Sequence, residues 1–206
     1  MSPEIQEAFR QILNTEQFPG PVLEAGALPG ADSLLHLLPP AAQLGRTAIN
    51  LEVPQRDTSG IRWVRGNANR MTMFEDASFG CVVCNSVLEH DPRFWESVRE
   101  MRRVTRPGGL MVLGVPGFRG GGPDTLAPAG TWARWLLRWV SRLPAHEFLR
   151  AGTLTLSEHF HPGDYYRFSE QAMREILLDG LDTPQTRWLM VPPRVVGWGR
   201  KSLKPD

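Results

Sequence analysis

The residues of this sequence that are best suited to chemistry are glycines and carboxylates that directly follow apolar runs. Residues 22–30 read Val-Leu-Glu-Ala-Gly-Ala-Leu-Pro-Gly, an apolar strand that opens into a glycine turn. Glycine lets the backbone turn tightly and approach a ligand, and the N–H groups of a following helix point toward that ligand. A second apolar run ends at Glu52, where a carboxylate can accept both ribose hydroxyls of a nucleoside. Together these features predict a site for an adenosine-bearing cofactor.

Apolar periodicity predicts the elements that position this site. Short apolar runs bounded by turn residues indicate strands, and helical spacing of apolar residues indicates the helices between them. The predicted strands are 22–24, 47–51, 61–65, 81–85 and 110–115, with a turn at 106–109. The predicted helices are 4–14, a segment containing Leu34 to Leu38 capped by Asp32 or Ser33, a segment from Asp91 to Val104, and Ser169 to Leu178.

Two further strands are predicted near the end of the chain, at 187–191 and 194–198, as a hairpin at the sheet edge around Pro192 and Pro193. The alternation of strands and helices predicts an α/β fold. We expect a doubly wound, mostly parallel seven-stranded sheet with helices on both faces and an antiparallel terminal hairpin. Ligands of such sheets bind outside the carboxyl ends of the strands.

Length and composition place limits on the function. A chain of 206 residues is predicted to form a single domain over residues 1–206, with a leading helix within 1–20. The net charge of +1 gives no reason to expect a nucleic-acid partner. No apolar run approaches the roughly 18 residues of a membrane span, and the amino terminus lacks a signal-peptide pattern. We therefore expect a cytoplasmic protein without stable membrane insertion.

Cys81 and Cys84 form a Cys-x-x-Cys pattern within an apolar run that is typical of a buried strand. Side chains three residues apart on a strand point to opposite faces. A redox pair normally opens a helix instead. We therefore interpret both cysteines as structural.

Four motifs in a fixed order resemble one family. These are Glu-Ala-Gly at 24–26 with Gly30, Gly-Asn-Ala at 66–68, Asn-Ser-Val-Leu-Glu-His at 85–90, and Arg-Pro-Gly-Gly at 106–109 before an apolar strand. In these motifs the chain resembles the class I S-adenosylmethionine-dependent methyltransferases, and within them the type 11 family. The resemblance covers about residues 20–115. It implies a Rossmann-like methyltransferase fold and S-adenosyl-L-methionine as the cofactor.

The resemblance also implies roles for individual residues. Glu24 would order the glycine loop, Gly26 would pass under the methionine part of the cofactor, and Leu28 stands where the family usually has its middle glycine. Asn67 would accept from the adenine amino group, and the Ala68 backbone N–H would face the ring. Met71 or Met73 would cover the adenine face, unless either belongs to the core.

The loop after the predicted fourth strand looks like the family's active-site loop. The Asn85 backbone would face the amino-acid end of the cofactor, and Ser86, Leu88 and His90 would lie near the transferred methyl group. His90 is the candidate general base, because its unperturbed pKa lies near neutrality. A bonded histidine at a helix start is the alternative interpretation of His90.

Residues 117–165 are expected to form a lid or insertion on the acceptor side. The candidate acceptor-pocket residues are Trp132, Trp135, His159, His161, Tyr165 and Tyr166. The tryptophans recur at helical spacing, so packing onto the domain, a homodimer contact or a protein partner are alternatives to the lid. No metal is expected, because no further ligand set with metal spacing accompanies the histidines.

Three functional hypotheses remain open at this point. The first is methylation of a small-molecule acceptor, on O, N or C. The second is a catalytically degenerate methyltransferase-like binding or partner module, motivated by Leu28 and Asn67. The third, a nicotinamide dehydrogenase, shares the glycine turn and the acidic strand end, but the Arg-Pro-Gly-Gly turn and the terminal hairpin fit it less well.

Overall fold

Seven strands form one sheet in the computed structural model, which describes residues 1–40, 45–55, 60–117, 163–190 and 193–203. The strands are β1 Val22–Ala25, β2 Arg46–Asn50, β3 Arg62–Arg65, β4 Phe79–Asn85, β5 Thr105–Pro116, β6 Leu181–Met190 and β7 Pro193–Lys201. Their order is β3-β2-β1-β4-β5-β7-β6. The predicted fold class is therefore confirmed.

The strand order places a crevice at the carboxyl ends of β1 and β4. Strands β1 to β5 run parallel, and β7 lies antiparallel between β5 and β6. From β1 the chain continues outward to β2 and β3 on one side, and then crosses to β4 on the other. The segments that follow β1 and β4 therefore lead away in opposite directions at the carboxyl ends of these strands. This divergence opens the space in which such sheets bind ligands.

Helical segments cover both faces of the sheet. Helix α1, Pro3–Thr15, buries Phe9 and Leu13 in one core cluster, and helix α2, Phe94–Val104, buries Met101 and Val104 in the other. Apolar residues recur every three or four positions in both helices, so each presents one apolar stripe to the sheet. The core therefore has two layers, one on each side of the strands.

The two cysteines follow this layering. Cys81 belongs to the cluster under α1 and Cys84 to the cluster under α2, and both thiols are buried and free. Burial raises the pKa of each thiol above its usual range. An uncharged thiol is neither a good nucleophile nor a good metal ligand, which supports the structural interpretation.

The segment after β1 does not form the helix that was expected there. The chain forms two short 3₁₀ turns instead, Gly30–Asp32 and Leu34–Leu37, and Ser33 caps the second by accepting from the Leu35 N–H at 3.2 Å. Prolines follow directly at positions 39 and 40. Because proline cannot donate a helical hydrogen bond, the segment is too short for two full turns.

Strand β5 begins five residues before its predicted start and absorbs the expected turn. Thr105 pairs with Phe79 and Leu110 pairs with Cys81, so the four residues between them on β5 face only Gly80 on β4. The Arg-Pro-Gly-Gly motif is therefore a bulge within the strand, with Gly108 at a φ of +74°. A bulge bends the strand, and the two-residue alternation of apolar residues in a sequence does not reveal it.

The last helix and strand also differ from their predicted form. Ser169 caps the helix as expected, with its Oγ 3.0 Å from the Ala172 nitrogen. Only Glu170–Ala172 is α-helical, and Met173–Leu177 continues as a π-helix closed by the Leu178 N–H on the Met173 carbonyl at 3.0 Å. Strand β6 starts six residues earlier than predicted and carries a bulge near its beginning.

Gly80→Ala tests the close approach of β4 to the segment before β1. A Cβ at this position would lie 1.4 Å from the Pro19 carbonyl oxygen, which is backbone and cannot rotate away. We expect a loss of about 3 kcal/mol or more in the free energy of unfolding, measured by urea denaturation.

The matched control is Gly30→Ala, where a Cβ would meet no atom within 4 Å and only the φ of +85° is unfavourable. Its expected cost is about 1 kcal/mol. Equal losses for the two variants would contradict this packing.

Candidate functional site

The predicted site residues gather along one edge of the sheet. Glu24 and Gly26 lie at the end of β1, Glu52 lies just beyond β2, and Asn85 ends β4. The antiparallel strand β7 begins at the same edge, where its Arg194 reaches the end of β4. The carboxyl edge is therefore built from four strands that are distant in sequence.

A buried carboxylate organises the glycine loop. Glu24 is 4% exposed and accepts hydrogen bonds from the Ser33 hydroxyl at 2.6 Å, the Leu34 N–H at 3.1 Å and the Leu35 N–H at 3.3 Å. These bonds tie the end of β1 to the short turn that replaces a long helix. Burial raises the pKa of Glu24 to about 7, although the three hydrogen bonds favour the anion.

Gly26 allows the loop after β4 to pack on the loop after β1. Its φ is +79°, and its N–H donates to the Ile49 carbonyl at 2.8 Å. A Cβ at position 26 would lie 2.1 Å from Cγ2 of Val87. The space next to this glycine is therefore filled by the Val87 side chain, and a ligand group on that side would have to displace it.

Leu28 is not part of the core, because its side chain is 56% exposed. Two residues later Gly30 has open space where a Cβ would stand. The second half of the glycine loop therefore lies at the surface.

The predicted ribose and adenine contacts lie on the exposed side of this edge. Glu52 is exposed beyond β2, and the Asn50 side chain anchors that end by donating to the Ala27 carbonyl at 2.7 Å. Asn67 is exposed, and its Oδ1 accepts from the Asn69 N–H at 3.1 Å. A side-chain carbonyl has two lone pairs, so one remains for a ligand. Ala68 is half-buried beside the core.

The two methionines near Asn67 differ. Met71 is fully buried and belongs to the core cluster under α2, so its core interpretation is the correct one. Met73 is 43% exposed, and its methyl group lies against Gly66 and Ile49. Met73 therefore packs on the end of β3, next to the Gly-Asn-Ala motif.

The loop after β4 has an unusual backbone. Ser86 has a φ of +58°, a left-handed conformation that is uncommon outside glycine, and its N–H donates to the Gly114 carbonyl at 3.0 Å. A short 3₁₀ turn, Leu88–His90, follows. Leu88 is buried in the core, whereas His90 is half-buried at the end of the turn. Ser86 is half-buried as well, and its hydroxyl is bonded to Arg194.

A buried ion pair below this loop was not predicted from the sequence. Arg194 is 3% exposed and Glu89 is fully buried, with 3.7 Å between Nη2 of the arginine and Oε1 of the glutamate. The same Nη2 donates to the Ser86 hydroxyl at 2.6 Å and to Oδ1 of Asn85 at 3.2 Å. Burial lowers the pKa of Arg194, and the charge of Glu89 opposes that shift. Nothing in the local sequence pattern distinguishes Arg194 from other strand residues.

The segment after residue 162 returns to the same loop. The Tyr165 and Tyr166 N–H groups both donate to the Glu89 carbonyl, at 2.7 and 3.3 Å. The Tyr166 hydroxyl donates to the Pro92 carbonyl at 3.0 Å, and its ring lies 5.0 Å from the ring of Phe94. The structure therefore brings both predicted tyrosines next to the active-site loop.

The remaining acceptor-pocket candidates lie outside the described residues. These are Trp132, Trp135, His159 and His161, and most of the expected lid at 117–165 lies there too. Within the described ranges no three His, Cys, Asp or Glu side chains form a group that could hold a metal ion. In the same part of the chain, no helix is long and apolar enough to span a bilayer.

The carboxyl edge fits a nucleoside better than a cavity on the opposite edge does. That cavity has a volume of about 430 Å³ and lies at the amino ends of β1, β2 and β4, with Arg46, Arg62 and Phe74 in its wall. It is remote from the glycine loop and from the ends where ligands bind in such sheets. At the carboxyl edge, by contrast, Glu52 and Asn67 offer exposed acceptors to a ribose and an adenine. These two acceptors are of the type that an adenosine needs, whereas the Val87 side chain fills the space beside Gly26.

Comparison with known proteins agrees with the motifs. Residues 38–113 match the family model described as a methyltransferase domain. An uncharacterized methyltransferase of Mycobacterium sp. (strain JLS) is 34% identical over 108 residues, which is 48% of this chain and 40% of that protein. The chain thus spans about two fifths of that relative's length.

Solved structures show the same fold. The 1,6-didemethyltoxoflavin-N1-methyltransferase of Burkholderia thailandensis, solved with its namesake ligand and S-adenosylhomocysteine, has a TM-score of 0.60 at 20% identity, covering 96% of this chain and 78% of that one. A SAM-dependent methyltransferase of Methanosarcina mazei has a TM-score of 0.55 at 20% identity, covering 99% of both chains.

These comparisons agree with one class of domain. Residues 38–113 match the methyltransferase domain, and the predicted resemblance to the S-adenosylmethionine-dependent methyltransferases is confirmed. The cofactor of that class, S-adenosyl-L-methionine, agrees with the expectation from the motifs.

Replacement of Glu24 by glutamine tests the buried carboxylate. Between pH 4.5 and about 7 the folded chain keeps the Glu24 proton that the unfolded chain has released, so wild-type stability falls as the pH rises through this window. Glu24→Gln has no such proton. The variant should therefore gain about 3 kcal/mol relative to wild type between pH 4.5 and pH 7.5. Urea unfolding at a series of pH values measures this difference, and parallel curves for the two proteins would contradict a raised pKa.

Proposed function

We propose that this protein is an S-adenosylmethionine-dependent methyltransferase that acts on a small-molecule acceptor. The observation that carries the proposal is the assembly of the glycine loop, Glu52 and the loop after β4 at one edge of a methyltransferase-type sheet. The bound cofactor would supply an activated methyl group. The protein then has to orient two molecules and, for a weakly acidic acceptor, remove a proton.

Each half of the cofactor would have its own set of residues. Glu52 would accept both ribose hydroxyls, since its carboxylate is exposed just beyond β2. Asn67 and the Ala68 N–H would contact the adenine. The loop held by Glu24, together with Gly26 and the end of β4 at Asn85, would hold the methionine half.

His90 is the residue we propose as general base. It lies at the end of the 3₁₀ turn that follows β4, half-buried, with its N–H bonded to the Val87 carbonyl at 2.9 Å. This backbone bond fixes the position of His90 at the end of the turn. A neutral imidazole in this place can take a proton from a hydroxyl or ammonium group of the acceptor.

Aromatic residues on the acceptor side support a small, flat acceptor. Tyr165 is 57% exposed, and Tyr166 packs edge-to-face on Phe94 beside the active-site loop. Aromatic rings favour planar or cationic ligands. The residues 117–165, including Trp132 and Trp135, would close over this side as a lid, and we propose this role for the tryptophan-rich segment ahead of a homodimer or partner contact.

Glu52→Gln tests the ribose contact. Two hydrogen bonds to a carboxylate become weaker when the acceptor loses its charge, so we expect the Kd for S-adenosylhomocysteine to rise about tenfold or more. Isothermal titration calorimetry measures the change. The matched control is Glu75→Gln, an exposed glutamate in the turn that precedes β4 at the opposite edge, which should bind as wild type does.

Two results would count against the proposal. Equal affinity of wild type and Glu52→Gln would show that the ribose lies elsewhere. Absence of binding by the wild-type chain would instead favour the degenerate partner-module hypothesis, and a partner search would follow.

His90→Gln tests the base. With an acceptor identified from a screen of phenols, carboxylic acids and amines, kcat should fall about 10²-fold or more because the proton has no nearby acceptor. The Kd for S-adenosylhomocysteine should not change, since His90 is assigned to the acceptor side. Retained activity across the pH range would exclude His90 as the base.

A further inference from the structure

We propose that Arg194 is a positioning residue that locks the Ser86–Val87 turn against the glycine loop and so shapes the methionine end of the cofactor site. The effect on cofactor binding rests on the proposed function, whereas the effect on the turn does not. Arg194 lies on β7, outside every motif that carries the family resemblance, and contacts no exposed part of the edge.

The contacts of Arg194 converge on one short stretch of chain. Its Nη2 lies 2.6 Å from the Ser86 hydroxyl, 3.2 Å from Oδ1 of Asn85 and 3.5 Å from the Gly114 carbonyl. Its charge faces Glu89 at 3.7 Å. All of these contacts belong to Nη2, and the planar guanidinium holds the two N–H groups of that nitrogen in fixed directions, whereas the ammonium of a lysine reaches less far and rotates freely.

The stretch that it holds needs such support. Ser86 has a φ of +58°, which is in the left-handed region. Non-glycine residues keep such a conformation only where the surroundings enforce it. At Ser86 the side chain is held by Arg194 and the backbone N–H by the Gly114 carbonyl at 3.0 Å.

The turn transmits this constraint to the glycine loop. Val87 fills the space beside Gly26 that a Cβ would otherwise take. Gly26 is in turn fixed to β2 through the Ile49 carbonyl. A shift of the Ser86–Val87 turn would therefore move the side chain that borders the glycine loop on its inner side.

The same arginine also borders the acceptor side. Its partner Glu89 accepts the Tyr165 and Tyr166 N–H groups with its backbone carbonyl. The pair Arg194–Glu89 thus lies between the glycine loop and the tyrosine segment. Because both groups are buried, removal of either side chain would be strongly destabilising, and for this reason conservative variants are the better test.

A second arginine on β7 provides a matched control. Arg200 donates to Oε2 of Glu16 at 2.8 Å and to the Gly108 carbonyl at 3.1 Å. It resembles Arg194 in strand, in residue type and in its carboxylate and carbonyl partners. It pairs across from Leu110 at the start of the parallel part of β5, away from the carboxyl edge.

The experiment compares Arg194→Lys, Ser86→Ala and Arg200→Lys with wild type. Calorimetry gives the Kd for S-adenosylhomocysteine, and amide hydrogen exchange reports residues 26–30 and 85–91 in the free protein. We expect Arg194→Lys to raise the Kd about tenfold and to speed exchange in both segments. Ser86→Ala, which loses only the 2.6 Å bond, should change both quantities in the same direction by less.

Arg200→Lys should lower the melting temperature without altering the Kd or the exchange of these two segments. Ser86→Gly adds a further discrimination, because glycine accepts a positive φ without the arginine. We therefore expect Arg194→Lys to accelerate exchange in residues 85–91 less in a Ser86→Gly background than in wild type. In that background the turn no longer contains a strained serine that the arginine must hold.

Three outcomes would overturn the inference: unchanged exchange in both segments of Arg194→Lys, an unchanged Kd, or equal effects of Arg194→Lys and Arg200→Lys. If wild type does not bind S-adenosylhomocysteine, the proposed function fails and the cofactor part of this inference fails with it. Hydrogen exchange then still decides whether Arg194 positions the turn.

Discussion

The hydrogen bonds accepted by the buried Glu24 carboxylate are the interaction on which the rest of this site depends. In a doubly wound sheet the first loop is usually ordered by the helix that follows it. Here that helix is reduced to 3₁₀ turns, because prolines follow the Leu34–Leu37 turn within two residues. Glu24 replaces it by binding Ser33, Leu34 and Leu35 directly. These bonds act together with the Gly26 N–H on the Ile49 carbonyl and the Asn50 side chain on the Ala27 carbonyl, which hold the earlier part of the glycine loop.

A second buried carboxylate holds the opposite side of the same crevice. Glu89 pairs with Arg194 under the loop after β4, and Val87 of that loop packs against Gly26. Two buried carboxyl groups therefore lie at the crevice, one at the end of β1 and one after β4. Burial of such groups is unfavourable unless hydrogen bonds or a partner compensate it. The Glu24 bonds tie the end of β1 to the turn at 33–35, and the Glu89–Arg194 pair ties the loop after β4 to β7. The exposed residues Glu52 and Asn67 are left for the adenosine half.

Much of this arrangement follows from local sequence patterns, and some of it does not. Continuous apolar runs located β1 to β4 to within about two residues, and the fold class followed from the alternation of strands with helices. The Arg-Pro-Gly-Gly bulge was not predicted, because it depends on the register of β5 against Gly80, a residue on another strand. The role of Arg194 was not predicted for the same kind of reason. Its partners Asn85, Ser86 and Glu89 become its neighbours only when β7 inserts next to β5. The short turn after β1 was predicted as a helix because its leucines have helical spacing, whereas the prolines limit its length.

The most direct test of this account is a crystal structure of the chain grown with S-adenosylhomocysteine. We predict the ligand at the carboxyl edge, with its ribose on Glu52, its adenine beside Asn67 and Ala68, and its amino-acid end between the glycine loop and Asn85. Val87 should have moved from its place beside Gly26, or the ligand should pass on its outer side. A ligand bound instead in the cavity at the amino ends of the strands, beside Arg46 and Arg62, would contradict the assignment of the carboxyl edge as the cofactor site.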